Sequence, residues 1–251
     1  MKNDCKFSGK ANAYAQYRPT YPEEYLEYLA SECGLYSGID AADIGSGTGI
    51  LTWQLLARGA RVFAVEPNCD MRRMAEAALS GYSGFVSVNA TAEHTGLADQ
   101  SIDLVTVAQA FHWLEPEQFQ LECRRILRSD ARAALVWNSR DETSPLVNEL
   151  GEVCRKFCPA YTGFSGGTQK TPEIFQRFFR DSAYEYKVFR HDLSYDKESF
   201  IGRIMSASYS LKETDPKYET FVDTIIMLFN KYSYEDKIII PNLTRSYVGL
   251  V

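Results

Sequence analysis

The sequence predicts an α/β fold in which a mostly parallel sheet lies between layers of helices. Between residues 40 and 137, short apolar runs alternate with stretches of helical periodicity. This alternation is typical of parallel strands joined by crossover helices. A glycine-rich loop follows the first apolar run, where a strand is expected to pass directly into a helix. At 251 residues, the chain is long enough for one such domain with a modest insertion.

Five strands and four helices are predicted in this first half. The strands are residues 41–45, 61–66, 85–90, 102–110 and 133–137. One helix, residues 22–34, precedes them, with Pro22 near its start and Gly34 as a stop signal. The other three helices lie between strands, over ILTWQLLARG, CDMRRMAEAALSG and EPEQFQLECRRIL.

Beyond residue 140 the pattern changes to helices interrupted by two strand candidates. The helical segments are SPLVNELGEVCRKF, PEIFQRFF, KESFIGRIMSAS and KYETFVDTIIMLFNKY, and the strand candidates are YEYKVFRHDL and IIIPNLTRSYVGLV. An antiparallel pair that closes the sheet edge accounts for both strands, with a helical insertion between them. We therefore expect one domain over 1–251, with an arm and helix (1–39), a core (40–140) and a C-terminal part with a lid and closing strands (141–251).

Composition restricts the class of partner. The net charge is -6, which argues against nucleic acid, since phosphate binding needs a cationic face. No apolar run approaches the ~20 residues of a membrane span, and the first residues lack the apolar centre of a signal peptide. We expect a cytoplasmic monomer or homodimer.

Cys154 and Cys158 are one helical turn apart, but no second ligand pair follows, so we expect reduced thiols and no metal.

The sharpest signal is ADIGSGTGILT, residues 42–52, between a predicted strand and a predicted helix. Gly45, Gly47 and Gly49 allow a tight turn and a close approach of the backbone to a ligand. A dinucleotide loop would have its third glycine where Ile50 stands. The carboxylate of Asp43 would repel a pyrophosphate but suits an ammonium or sulfonium group. S-adenosylmethionine is favoured, while a nucleotide and a purely structural turn remain open.

Glu66 ends the second predicted strand, 21 residues after the first glycine. In a βαβ unit, an acid at this interval lies at the tip of the neighbouring strand, within reach of ribose hydroxyls. A solvated acid at a strand end is the alternative. The combination of strand, glycine loop, helix, strand and acid predicts an adenosine ligand.

These motifs resemble the class I S-adenosylmethionine-dependent methyltransferases, which have a Rossmann-like, doubly wound, mostly parallel seven-stranded sheet with an antiparallel edge strand. DIGSGTG resembles their first motif and VFAVEPNCDMRRMA their second, while NATAEHTGLADQSIDLVTVAQAFHWL is similar to the next two. Thr91 stands where many relatives carry aspartate. The resemblance implies that the following residues bind the cofactor: Asp43, Gly45, Ser46, Gly47, Gly49, Glu66, Pro67, Met71, Thr91, Ala92, Glu93 and Gln109.

FSGKANAYAQYRPTYP, AFHW and ALVWN resemble a small-molecule, type 11-like subgroup that contains trans-aconitate-type methyltransferases. In that subgroup the N-terminal segment lies over the cofactor. The resemblance therefore implies that Tyr14, Tyr17 and Arg18 close the site, and that Arg18 pairs with a carboxylate of cofactor or substrate. An ordinary surface arm is the alternative.

His112 follows the fourth strand at the sheet edge where ligands bind, and we take it as the catalytic candidate. It either accepts a proton, contacts the substrate or shapes the pocket wall. Trp113, Asn138, Arg140 and Tyr209 are the other substrate or lid candidates. For Asn138 and Arg140, which follow the fifth strand, stabilisation of the loop is the alternative. The segment RIMSASYSL, residues 203–211, either reads an acidic substrate or forms an exposed helix face.

The predicted function is in-line methyl transfer from S-adenosylmethionine to a carboxylate or hydroxyl of a small molecule, with S-adenosylhomocysteine as product. A hydroxyl acceptor needs a general base, whereas a carboxylate does not. Two alternatives are a cofactor-binding protein without catalysis and a nicotinamide-dependent oxidoreductase. The spacing of the glycines and Ile50 count against the second.

Overall fold

The computed structural model describes residues 18–164 and 172–251, and most of its elements match the sequence pattern. The helices are α1 (Glu23–Cys33), α2 (Ile50–Ala57), α3 (Cys69–Leu79), α4 (Pro116–Ile126), α5 (Pro145–Phe157), α6 (Pro172–Phe178), α7 (Lys197–Met205) and α8 (Tyr218–Tyr232). The strands are β1 (Asp40–Ile44), β2 (Arg61–Val65), β3 (Phe85–Val88), β4 (Ile102–Ala108), β5 (Leu127–Arg140), β6 (Glu185–Arg190), β7 (Leu193–Tyr195), β8 (Ile238–Ile240) and β9 (Asn242–Gly249).

Seven strands form one sheet in the order β3-β2-β1-β4-β5-β9-β6. The pairs β1–β2, β1–β4, β2–β3 and β4–β5 are parallel, and β9 is antiparallel to both of its neighbours. The predicted mostly parallel seven-stranded sheet with an antiparallel strand is therefore confirmed. The antiparallel strand β9 lies one position in from the edge, and β6 is the edge strand.

The order of the strands determines where a ligand can bind. The chain moves outward from β1 through β2 to β3 and then returns to place β4 on the other side of β1. The loops after β1 and β4 consequently diverge and leave a crevice at the carboxyl ends of these strands, as in other doubly wound sheets. The glycine loop follows β1 in this crevice.

Each face of the sheet is covered by its own apolar cluster. On one face, α1 and α2 contribute Tyr25, Leu29 and Leu55 to a core that includes Val62. On the other, Phe119 of α4 and Phe175 and Phe178 of α6 form an aromatic group with Phe111 and with Trp137 of β5. Burial on both faces explains why the strands read as nearly continuous apolar runs.

The insertion between β5 and β9 has a third core of its own. Helices α5, α7 and α8 pack together through Leu150, Phe200, Phe221, Ile225 and Phe229, all of which are buried. Cys154 and Cys158 are buried thiols within this core. Burial raises the pKa of the Cys154 thiol to about 12, so this group is protonated at neutral pH.

Two predicted strands are each divided in the structure. YEYKVFRHDL forms β6 and ends at the first residue of β7, and IIIPNLTRSYVGLV forms β8 and β9. The division in the second run falls at Pro241, which has no N–H to donate to a ladder. β7 and β8 pair with each other in a separate two-stranded sheet beside the helical insertion.

Over residues 18–164 and 172–251, the apolar stretch of every helix is too short for a membrane span.

Candidate functional site

The three glycines of the loop after β1 all have positive φ angles, and their surroundings differ. A Cβ on Gly45 would lie 2.6 Å from Cβ of Ala110, and one on Gly49 would lie 2.7 Å from Cδ1 of Leu79. These two glycines are needed for packing. A Cβ on Gly47 would meet no atom within 4 Å. Gly47 therefore borders open space, as expected where a backbone approaches a ligand.

The loop is held against the end of β2 by its backbone. The N–H groups of Gly45 and Ser46 both donate to the carbonyl oxygen of Val65, at 2.9 and 3.1 Å. The next residue, Glu66, accepts from the N–H of Gly47 at 2.9 Å through Oε2 and from that of Asn68 at 2.8 Å through Oε1. Glu66 thus joins the glycine loop to the start of α3 and stands at the strand tip that the sequence predicts.

Asp43 lies beneath the loop, where its side chain is inaccessible to solvent. Its carboxylate accepts a hydrogen bond from Oγ1 of Thr52 at 2.6 Å and one from Oγ1 of Thr106 at 2.9 Å. Burial raises the pKa of Asp43 to about 6, and the two hydroxyls oppose that rise. In the structure its carboxylate holds α2 and β4 under the loop, and its contact with the cofactor stays a prediction.

A cavity opens above the glycine loop. One side is formed by residues 45–48 and the other by Arg18, Tyr21, Gln109 and Arg203. Gln109 has a φ of 60° and follows β4, and its N–H donates to the carbonyl of Val136 at 2.9 Å. The cavity therefore lies in the crevice at the carboxyl edge of the sheet.

The segment before α1 closes this cavity from above. Its residue Tyr21 exchanges two hydrogen bonds with Gln54 of α2: the Tyr21 N–H donates to Oε1 at 2.9 Å, and its carbonyl accepts from Nε2 at 2.8 Å. The carbonyl of Thr20 accepts from Nδ2 of Asn138 at 3.0 Å. Arg18 belongs to this segment and lines the same cavity as the glycine loop, and its pairing with a carboxylate of cofactor or substrate stays a prediction. Tyr14 and Tyr17 lie outside the described residues.

The remaining predicted cofactor residues line the neighbouring part of the sheet edge. Pro67 precedes α3, whose Asn68 caps the helix by accepting from the N–H of Met71 at 3.0 Å. Met71 is buried. Ala92 is also buried, whereas Thr91 is exposed and forms an isolated bridge with His94. Oε1 of Glu93 accepts from the N–H of Glu115 at 3.1 Å, just ahead of α4. Contact of these residues with adenine stays a prediction.

His112 lies in a short 3₁₀ helix, Phe111–Trp113, after β4. Its imidazole is exposed and packs against the ring of Trp113, with 4.4 Å between ring centroids. The residue is at the predicted edge of the sheet but is not among those that line the cavity at the glycine loop. Its role as a base stays a prediction.

The other substrate candidates contact either the arm or the lid. Asn138 is buried and accepts from Oγ1 of Thr244 at 2.5 Å while it donates to Thr20, so it anchors the arm. Arg140 is buried at the end of β5 and lies over the ring of Phe164, 4.1 Å from its centroid. Tyr209 contacts Tyr161 edge-on in the lid.

Comparison with known proteins finds similarity to methyltransferases over the part of the chain that contains the glycine loop. Residues 42–135 match the sequence model of a family described as "Methyltransferase domain". This range begins before the glycine loop and ends within β5, so it contains Glu66 and His112. Residues 42–135 carry the signature of a methyltransferase domain.

Two relatives that match this chain are also named methyltransferases. The chain is 41% identical over 147 residues to an uncharacterized methyltransferase of Mycobacterium tuberculosis, a match that covers 59% of this chain and 58% of that protein. It is 26% identical to an uncharacterized methyltransferase of Schizosaccharomyces pombe over 93% of this chain and 92% of that one. The match thus spans under two thirds of the length of the mycobacterial relative.

In structure, the chain is similar to a protein of Anaeromyxobacter dehalogenans that is provisionally named a type II methyltransferase. The TM-score is 0.68 at 23% identity, and the match covers 93% of this chain and 97% of that one. At this level of identity the similarity establishes the fold alone.

Several residues that build the candidate site could not be found from the sequence. Thr52 and Thr106 hold Asp43, Gln54 holds the arm, and Thr244 of β9 supports Asn138. The sequence does indicate a polar role for two of them, because Thr52 and Gln54 are polar residues in the otherwise apolar helix α2. Thr244 gives no such signal, since its partner is 106 residues away.

We predict that Asp43→Asn alters the pH dependence of stability. The folded pKa of about 6 exceeds the ordinary value of 3.8, so ionisation of the buried carboxyl destabilises the wild type as pH rises from 4 to above 6. Asparagine keeps the shape and does not ionise. Relative to wild type, the variant should gain on the order of 3 kcal/mol in unfolding free energy between pH 4 and pH 8, measured by urea titration. A difference that does not vary with pH would show that Asp43 is not strained by burial.

We predict that Gly47→Val abolishes binding of S-adenosylmethionine without unfolding the domain. The side chain would enter the open space beside the loop, and valine strains a backbone with a φ of 59°. Gly38→Val is the matched control, since Gly38 also has a positive φ and open surroundings but lies before β1. Both variants should lose stability in thermal melts, and only Gly47→Val should lose the calorimetric binding signal. Normal binding by Gly47→Val would make the loop a structural turn.

Proposed function

We propose that this chain transfers the methyl group of S-adenosylmethionine to a small molecule. The observation that carries the proposal is the open space beside Gly47, bounded by the glycine loop and by Glu66 at the tip of β2. The loop backbone, Glu66 and Gln109 would hold the cofactor. When bound, S-adenosylmethionine supplies a methyl group on a positively charged sulfur, and the sulfur leaves as a neutral thioether when an acceptor takes the methyl.

The residues of the chain orient the reactants and exclude water. Two bonds to Gln54 and one to Asn138 fix the backbone of Tyr21 and Thr20, so the arm covers the cavity in a defined position. The lid contributes Arg203 to the same cavity. Enclosure of this kind promotes in-line transfer, because it aligns the acceptor with the methyl group and removes competing water.

The comparisons support a small acceptor. One similar structure is a phosphoethanolamine N-methyltransferase 2 of Haemonchus contortus, in complex with phosphomonomethylethanolamine and S-adenosylhomocysteine. Its TM-score is 0.55 at 14% identity, and the match covers 99% of this chain and 57% of that one. The arm and Arg203 of the lid both line the cavity at the glycine loop, and a site covered in this way favours a small acceptor over a macromolecule. Carboxylate and hydroxyl acceptors both fit the proposal.

The proposal is tested by incubation of the protein with S-adenosylmethionine labelled in its methyl group and a panel of metabolites. Label should pass to a metabolite of low molecular mass, with S-adenosylhomocysteine formed in equal amount. Binding of S-adenosylmethionine without transfer to any compound would favour a cofactor-binding protein. Failure to bind it would refute the proposal.

We predict that Glu66→Ala weakens the binding of S-adenosylmethionine by about 1–3 kcal/mol, because the variant loses a charge-assisted hydrogen bond to a ribose hydroxyl. Glu66→Gln should have a smaller effect, since its amide oxygen can still accept from Gly47. Both affinities are measured by titration calorimetry. Equal affinity of Glu66→Ala and wild type would remove this residue from the cofactor site.

We predict that His112→Ala raises KM for the acceptor more than it lowers kcat. A carboxylate acceptor loses no proton in the reaction, so an imidazole beside it would bind rather than act as a base. His112→Gln should restore much of the affinity, because glutamine keeps a hydrogen-bonding group. A fall in kcat of roughly 10²–10⁴-fold, with loss of the histidine limb in the pH–rate profile, would instead assign general-base catalysis. Unaltered constants would make His112 part of the pocket wall.

A further inference from the structure

Arg203 presents a buried positive charge to the cavity. It lies on α7 of the lid, the residue is 7% exposed, and it lines the same cavity as the glycine loop. Across the described ranges, 18–164 and 172–251, no aspartate or glutamate forms an ion pair with it. A guanidinium in such a position is rare unless something negative accompanies it, because desolvation of an unpaired charge is strongly unfavourable.

Neighbouring positive charges make the burial of the Arg203 guanidinium still less favourable. Burial lowers the pKa of Arg203 to about 9, and the next two influences are the positive charges of Arg18 and Arg140. The hydroxyls of Tyr195 and Tyr209 oppose them weakly. At neutral pH the guanidinium remains protonated, so the site holds a positive charge among like charges.

Arg18 and Arg140 connect this charge to both sides of the site. Nη2 of Arg18 donates to the carbonyl of Ser206 at 3.5 Å, one turn after Arg203, and Arg18 also lines the cavity. Arg140 is buried at the carboxyl end of β5 and stacks on Phe164 of the insertion. The three arginines thus come from the arm, the sheet and the lid, the three parts that enclose the cavity.

We infer that Arg203, together with Arg18 and Arg140, binds an anionic group of the methyl acceptor, a carboxylate or a phosphate. A planar guanidinium matches either group through paired N–H donors. The inference rests on the proposed function and narrows it to acidic acceptors. We assign the anion to the acceptor because the cluster extends from the glycine-loop cavity to Arg140, which lies towards Phe164 and Tyr209 of the lid rather than beside the loop.

The first test measures anion binding without cofactor. Citrate and inorganic phosphate are titrated at constant ionic strength while the melting temperature is followed, for wild type and for Arg203→Met. The control is Arg124→Met, which removes the same charge from the exposed face of α4. Wild type and the control should be stabilised by at least one of the anions, whereas Arg203→Met should not be.

The same melts distinguish a binding role from a structural role. If Arg203 exists to bind an anion, its removal relieves a buried charge, and Arg203→Met without anions should melt at a higher temperature than wild type. If Arg203 supports the fold, the variant should melt lower. A lower melting temperature, or equal stabilisation of all three proteins by anions, would overturn the inference.

The second test identifies the source of the anion by methyl transfer. Acceptors are offered in matched pairs, namely small dicarboxylic acids with their amides and phosphomonoesters with the parent alcohols. The charged member of a pair should be methylated, and Arg203→Met should raise its KM about 100-fold, the loss expected for a strong charge-assisted pair. Arg203→Lys should recover part of this loss. The dissociation constant of S-adenosylmethionine should change less than twofold.

Each result separates the two claims. Equal methylation of charged and neutral members would refute the acidic acceptor and leave methyl transfer intact. A loss in Arg203→Met that appears in the affinity for S-adenosylmethionine would overturn the inference by assigning the arginine to the carboxylate of the cofactor. Anion binding that depends on Arg203, in a protein that transfers no methyl group, would refute the proposed function but support the anion site.

Discussion

The arrangement at the carboxyl edge of the sheet depends on one buried carboxylate. Asp43 stands at the centre of the sheet, in the strand flanked by β2 and β4, and is reached by no solvent. Through Thr52 and Thr106 it connects the helix after the glycine loop to the neighbouring strand. Two hydroxyl donors compensate for only part of the cost of burying this group, as its raised pKa of about 6 shows. The fold retains this unfavourable burial because Asp43 holds in place the elements on either side of the glycine loop.

Because Asp43 fixes the elements beneath it, the glycine loop can present backbone groups without side chains to a ligand. Gly45 and Gly49 are packed so closely that no side chain fits, whereas Gly47 faces open space and is tied to Glu66. The arm is attached to α2 and β5 by hydrogen bonds to its backbone and lies above the loop. A fixed glycine loop with a separately attached arm above it suits methyl transfer. This reaction needs alignment of the two reactants more than it needs acid or base groups.

The sequence predicts the elements well because their signals are local. Apolar periodicity, Pro22, Gly34 and the glycine loop all act within a few residues, and the helices and most strands appear where these signals place them. The side-chain partnerships are not local. Asn138 donates to Thr20 across 118 residues, and Arg18 donates to Ser206 across 188 residues, so no local pattern in the sequence predicts either contact. For the same reason, Asp43 reads as a ligand-facing acid in the sequence, although its oxygens are taken by two threonines.

The central claim is that the crevice above Gly47 and beside Glu66 is a site for S-adenosylmethionine rather than for a dinucleotide. The most direct measurement is calorimetric titration of the wild-type protein with S-adenosylmethionine, S-adenosylhomocysteine and NAD in parallel. We expect that the first two bind with one molecule per chain and that NAD gives no signal, because Ile50 occupies the position of the third glycine of a dinucleotide loop. Saturable binding of NAD, with no signal from S-adenosylmethionine, would contradict it.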